Sequence, residues 1–78
     1  VGPTLHLDLK HAADVQVVIY SVTGRVVKSM LNEALPAGLH ELTWDGRDNN
    51  GARAASGVYF ARVLAGSQAG KGKLVLVR

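Results

Sequence analysis

The sequence predicts an all-β fold, an antiparallel β-sandwich of about six or seven strands, on three observations. Apolar residues recur with a period of two in several short runs, turn residues interrupt those runs often, and no long run has helical spacing. Short strands patterned on one face bury that face only by packing sheet on sheet.

The elements follow in order. Leu5, Leu7 and Leu9 alternate with His6, Asp8 and Lys10, a strand with one wet face that suits a sheet edge. Val15, Val17 and Ile19 alternate with Gln16, Val18 and Tyr20, a β-branched run apolar on both faces and therefore central. Ser21-Val22-Thr23-Gly24 reads as a hairpin loop whose Gly24 supplies the left-handed residue, and Arg25-Val26-Val27-Lys28 resumes the strand. Ser29 to Leu35 is compatible with a continued strand, a bend or one helical turn, because Met30, Leu31 and Leu35 also fit helical spacing. Leu35-Pro36-Ala37-Gly38 has the residues of a type I turn.

His40, Leu42 and Trp44 share one face of the next run, which points Leu42 and Trp44 inward and makes Trp44 a core anchor. Asp45 to Gly51 is turn chemistry throughout, with Gly46 and Gly51 as structural turn residues and Asn50-Gly51 marking a tight reversal. Ser56-Gly57 opens a strand from Val58 to Leu64, with Gly57 at its turn and Tyr59, Ala61 and Val63 on one face. Tyr59 is the second core anchor. Ala65 to Gly70 reads as a loop and Lys73 to Val77 as the last strand.

Composition narrows the function. The chain has 78 residues, a net charge of +3, 47% hydrophobic residues and no cysteine, which bounds it to one small domain over residues 1–78. Neither a disulfide frame nor a thiolate metal site supports it, so packing alone must suffice. A domain this small has little volume for a hollow pocket beside its core, which favours a binding or structural module over an enzyme. No run reaches the roughly 18 apolar residues of a membrane span, so no membrane insertion is expected. Val1-Gly2-Pro3 leads straight into alternating sequence without a signal peptide, so an exported form would be a downstream piece of a longer chain.

No catalytic residue, metal ligand or cofactor site is assigned. Ser21, Ser29, Ser56 and Ser67 can be combined on paper with His6, His11 or His40, but no nucleophile elbow or other local signature joins them. The carboxylates Asp8, Asp14, Glu33, Glu41, Asp45 and Asp48 are dispersed. In the Asp45 to Gly51 loop, Arg47 occupies an alternate position where calcium would take a ligand, and Asn50 stands where the calcium loop needs glycine. His6, Asp8 and His11 form a weaker metal group, with His11 beyond the strand alternation. The nine basic residues are spread over nearly every segment without aromatic stacking positions beside them, which argues against nucleic acid. Lys71, Lys73 and Arg78, charged and late in the chain, are the candidates for direct contact with a receptor or an anionic surface. With Trp44 and Tyr59 assigned to the core, Tyr20 and Phe60 remain for a two-ring sugar platform, so a carbohydrate-binding accessory module is the alternative from another class.

The segments Val17-Val18-Ile19-Tyr20, Gly24-Arg25-Val26-Val27, Gly38-Leu39-His40, Trp44-Asp45-Gly46-Arg47-Asp48, Gly51 and Ser56-Gly57-Val58-Tyr59-Phe60-Ala61-Arg62 occur in a telling order. Together with the closing Lys73-Leu74-Val75-Leu76-Val77-Arg78, the chain resembles FlgD-like Ig domains and the related C-terminal sorting domains of the type IX secretion system. The resemblance spans nearly the whole sequence, although the Asn-Pro pair that often opens such domains is absent. It implies an Ig-like sandwich, a single C-terminal domain of a larger exported protein, recognised by the secretion machinery after passage into the periplasm. Cargo would be released or fixed on the outer cell surface, and the sorting domain is commonly removed by a surface protease. Its partners would be that machinery and the preceding domain of its own chain, with an open edge strand offering weak self-association. The other branch of the resemblance implies a part in a flagellar hook-capping scaffold. Arg78 closing directly on the last strand favours sorting.

Overall fold

The computed structural model describes residues 2–77, which form six strands: β1 (Thr4–Leu9), β2 (Ala13–Ser21), β3 (Val26–Leu35), β4 (Gly38–Thr43), β5 (Gly57–Ala65) and β6 (Gln68–Leu76). β1 pairs with β4 as a two-stranded sheet, and the remaining strands form a four-stranded sheet in the order β3-β2-β5-β6. All of these pairings are antiparallel. β2, apolar on both faces, lies inside its sheet, and β1, with its wet face, lies at an edge.

The two sheets contribute unequally to the core. Val15, Val17 and Ile19 of β2, Val27 of β3, Tyr59 and Ala61 of β5, and Leu74 and Leu76 of β6 are buried, and among the described residues Trp44 is the one buried core residue from outside that sheet. β1 and β4 offer Leu5, Leu7, Leu9 and Leu42, all only half-buried. The reason is width: strands lie about 4.8 Å apart, so a two-stranded roof cannot span a four-stranded floor. A groove is left open between β1 and β6.

The structure decides three local readings. Ser29 to Leu35, open in sequence between strand, bend and helical turn, continues β3 as strand. Val17 pairs with Leu31 and Val18 with Ser29, then Ile19 with Lys28 and Tyr20 with Val26, so Met30 and Val27 are the extra residues of two bulges. Each bulge resets the alternation, which scrambles the period of two and produces the helix-like spacing of Met30, Leu31 and Leu35. Leu35 to Gly38 forms the corner at which the chain passes from one sheet to the other. The chain bends at Ala37 without closing a hydrogen-bonded turn, Gly38 opens β4 in the other sheet, and His40 Nε2–H donates to Pro36 O at 2.7 Å.

The third change matters most for function. Ala65 to Gly70 is no loop: Ala65 pairs with Gln68, leaving Gly66 and Ser67 as a two-residue hairpin turn. Gly66 has φ 59° at the first central position, the geometry of a type II′ turn, and its N–H donates to Asp14 O at 3.0 Å. β6 thus begins at Gln68, not Lys73, and ends at Leu76. Its first half hides from pattern reading because Gly70 and Gly72 have no side chains to alternate.

Gly70 tests the incompleteness of the roof. A Cβ there would meet nothing within 4 Å, and the residue does not have a left-handed φ. Gly70→Ala should stabilise the chain by about 0.5–1 kcal/mol through lower unfolded-state entropy, whereas Gly24→Ala, at φ 86°, should destabilise it. Differential scanning calorimetry of the two variants should show melting temperatures displaced in opposite directions.

Candidate docking surface

The face of the four-stranded sheet that points away from β1 and β4 carries the contact residues expected from sequence. Strand register puts Phe60 between Tyr20 and Lys73, and Arg62 between Val18 and Lys71. These residues alternate with buried Ile19, Ala61 and Leu74, so their side chains stand on the outward face. Arg62, Lys71 and Lys73 are exposed, Phe60 is 39% exposed, and Tyr20 is half-buried. A shallow hollow lined by Tyr20, Val22, Gly24, Phe60, Arg62 and Lys71 joins the aromatic row to the cations. Arg78 lies outside the described residues.

Arg62 was not legible as part of this group. Its position opposite Lys71 depends on the two-residue turn at Gly66-Ser67, and a longer loop erases that register. Like charges opposite one another across a strand pair destabilise a sheet. No carboxylate relieves this pair: among the described residues the ion pair present joins His6 Nδ1 to Glu41 Oε1 at 3.6 Å, on the other sheet.

The remaining predicted residues form a turn framework at one end of the sandwich. Gly24 N–H donates to Ser21 O at 2.9 Å and Ser21 N–H to Arg25 O at 2.9 Å, closing the β2–β3 hairpin, and register sets Ser21 opposite Tyr59. Trp44 is 1% exposed. Its indole Nε1–H donates to Arg47 O at 2.9 Å, and its ring meets Tyr59 edge-to-face with centroids 4.9 Å apart. Tyr59 Oη–H donates in turn to Ala55 O. Gly46 is buried between Trp44 and Arg47, Gly51 closes a turn by donating to Asp48 O at 3.0 Å, and Gly57 opens β5 opposite Leu76.

The carboxylates of the 45–51 loop are occupied by their own backbone. Asp45 Oδ1 accepts from Arg47 N–H, and Asp48 Oδ1 accepts from the N–H groups of Asn50 and Ala52, at 2.9–3.0 Å. Asn49 fastens the loop to the sheet, donating from N–H to Val27 O at 3.0 Å while its Oδ1 accepts from Ser29 N–H at 2.9 Å. Among the described residues no three metal-ligating side chains converge, and His6, Asp8 and His11 stay apart as ligands. His40 is engaged with Pro36 O, and Ser21 Oγ with Thr23 Oγ1. No helix of the described residues is long and apolar enough to cross a membrane.

An Ig-like all-β sandwich with a cationic and aromatic outer sheet face defines a module that presents a surface. The family model described as the FlgD Ig-like domain matches residues 3–70, and the chain belongs to that family. Nine chains of solved structure match it. One is a crystal structure of FlgD from P. aeruginosa, similar with a TM-score of 0.76 and 24% identity over 97% of this chain. The chain spans 60% of the length of that FlgD, and the likeness supports the fold. No curated protein matches it.

The framework has a measurable weight. Trp44→Ala should cost about 3–5 kcal/mol, as removal of large buried aromatics does, while Tyr59→Phe should cost about 0.5–1.5 kcal/mol for one hydrogen bond. Urea denaturation followed by far-UV circular dichroism should show that ranking; equal losses would place the anchor elsewhere.

Proposed function

We propose that the chain is a non-catalytic C-terminal sorting module that directs an exported protein through the type IX secretion system to the cell surface or medium. The observation that carries the reading is the gathering of the Gly24-Arg25 turn, the Trp44-Asp45-Gly46 loop and the Ser56-Gly57-Val58-Tyr59 strand start into one bonded framework. Those are the fragments that the chain shares in order with FlgD-like Ig domains and the related sorting domains. In this reading the framework holds the sheet rigid, and Lys71, Lys73 and Arg78 meet the machinery. The parent chain supplies any chemistry, and the module supplies delivery. A second reading, the Ig-like part of a flagellar hook-capping scaffold, is favoured by the similarity to the FlgD structure.

Fusing these 78 residues behind a fluorescent cargo with an export signal, in a bacterium with type IX secretion, separates the two. Sorting predicts cargo outside wild-type cells and retained in a secretion-defective strain. Reversing the charges of Lys71, Lys73 and Arg78 should lower export of the folded fusion severalfold. Folded cargo held in the periplasm of both strains would transfer the weight to hook assembly or sugar binding.

A further inference from the structure

The groove between β1 and β6 and the cations beside it belong to one surface. Among the described residues β6 ends the sheet order and β1 pairs with β4 alone, so each strand has an unpaired backbone edge. The groove between them, about 270 Å³, is lined by Leu5, Leu7, Leu9 and Val63 beside Gly70 and Gly72, with Asp8 and Lys71 also on its wall. On β6 the inward positions are Gly70, Gly72 and Leu74, and the outward positions are Lys71 and Lys73. A strand added to β6 would therefore set alternate side chains on two different surfaces. One set would enter the apolar space above Gly70, next to Leu5, whose Cδ1 lies 3.5 Å from where a Cβ of Gly72 would stand. The other would stand on the outward face beside Lys71 and Lys73, with Arg62 one strand further in.

We infer that β6 is a docking edge for an extended partner segment in which acidic and apolar residues alternate. Charge fixes the occupant. Arg62, Lys71 and Lys73 face the same side; Asp8 lines the groove together with Lys71 but makes no ion pair with it, and Arg62 opposite Lys71 is unfavourable until an anion arrives. Lysines on an edge strand by themselves also prevent promiscuous pairing, but β5 is an inner strand, so that role does not explain Arg62. A second copy of this chain adding through its own β6 would bring lysine toward lysine. The partner segment instead supplies the missing carboxylates, the missing roof side chains and the missing backbone hydrogen bonds together. This deepens the sorting reading by giving the chemical character of what the machinery would offer.

The test titrates the 78-residue chain with a capped peptide alternating Glu and Val, followed by NMR. Binding should shift the amides from Gly70 to Val75 and protect them from hydrogen exchange, as new backbone pairing requires. Lys71→Glu with Lys73→Glu should weaken it about tenfold or more, and Gly70→Val, which fills the groove from within, should weaken it with the fold intact. A peptide alternating Lys and Val should not bind. Equal affinity for a peptide alternating Glu and Gly, or shifts confined to side chains with no added protection, would overturn the inference. So would vesicles of phosphatidylcholine with phosphatidylglycerol shifting the same residues while the Glu-Val peptide does not. A second readout needs no ligand: Lys71→Glu alone converts the facing pair to opposite charges and should raise the melting temperature, and a fall would remove the premise. Because neither measurement involves secretion, export that survives a failed titration would sink the docking edge and leave sorting standing.

Discussion

The burial of Trp44 is the interaction on which the rest of the structure depends. It sits where β4 has ended and the chain must cross to the larger sheet, and among the described residues it is the one buried core residue that the larger sheet does not supply. Its backbone N–H donates to Pro3 O at 3.0 Å, holding the entry to β1. A Cβ on Gly2 would fall 1.5 Å from Trp44 O, so the two backbones touch where only glycine fits. The indole N–H fixes Arg47 O, the ring edge meets Tyr59, and the Tyr59 hydroxyl fixes Ala55 O. Both ends of the crossing loop are thereby tied to one pair of rings, each with its polar atom satisfied, as burial of a polar group demands.

That arrangement compensates for an unequal sandwich. Four strands supply a floor, two supply a roof, and Trp44 fills one of the places the roof does not reach. The other shortfall, along β1 and β6, is left open above Gly70, where a Cβ would meet nothing within 4 Å, while Leu5 already lies over Gly72. A chain selected only for stability would carry a side chain at Gly70, since each buried methylene is worth about 0.8 kcal/mol. Asn49 secures the opposite edge by bonding to β3 at both Val27 O and Ser29 N–H, so the loop caps that edge while β6 stays open. The two edges of the larger sheet are treated differently.

Much of this architecture was legible in the sequence because alternation survives wherever strands are regular. Val15, Val17 and Ile19 announced an inner strand, and Leu42 with Trp44 announced an inward face. Reading failed where the period was interrupted by something local sequence does not encode. The bulges at Val27 and Met30 turned β3 into an ambiguous run, because a bulge is visible only against its partner strand. The corner at Leu35 to Gly38 has turn residues whichever sheet receives the next strand. The Gly66-Ser67 hairpin hides in sequence as part of a longer loop because Ala69, Gly70 and Gly72 give no pattern. Lys71 and Lys73 stand out by charge alone, whereas the place of Arg62 depends on the register.

The same missing register conceals how the candidate surface is organised. Read linearly, Arg62 belongs to one strand, Lys71 and Lys73 to another, and Leu5, Leu7 and Leu9 to a third with no relation to either. Closing a two-residue turn after Ala65 sets Arg62 against Lys71, and the sheet order then leaves the far side of β6 facing β1. Three separate shortfalls meet there: unpaired backbone, unfilled apolar volume and uncompensated positive charge. Each is unfavourable to the isolated chain, and a single extended acidic segment of period two relieves all three. Edge lysines alone protect a strand from promiscuous pairing, and the groove alone follows from the narrow roof, but Arg62 on the inner strand β5 is explained by neither. That residue, set against Lys71 beside the open edge, is the physical argument for the docking edge.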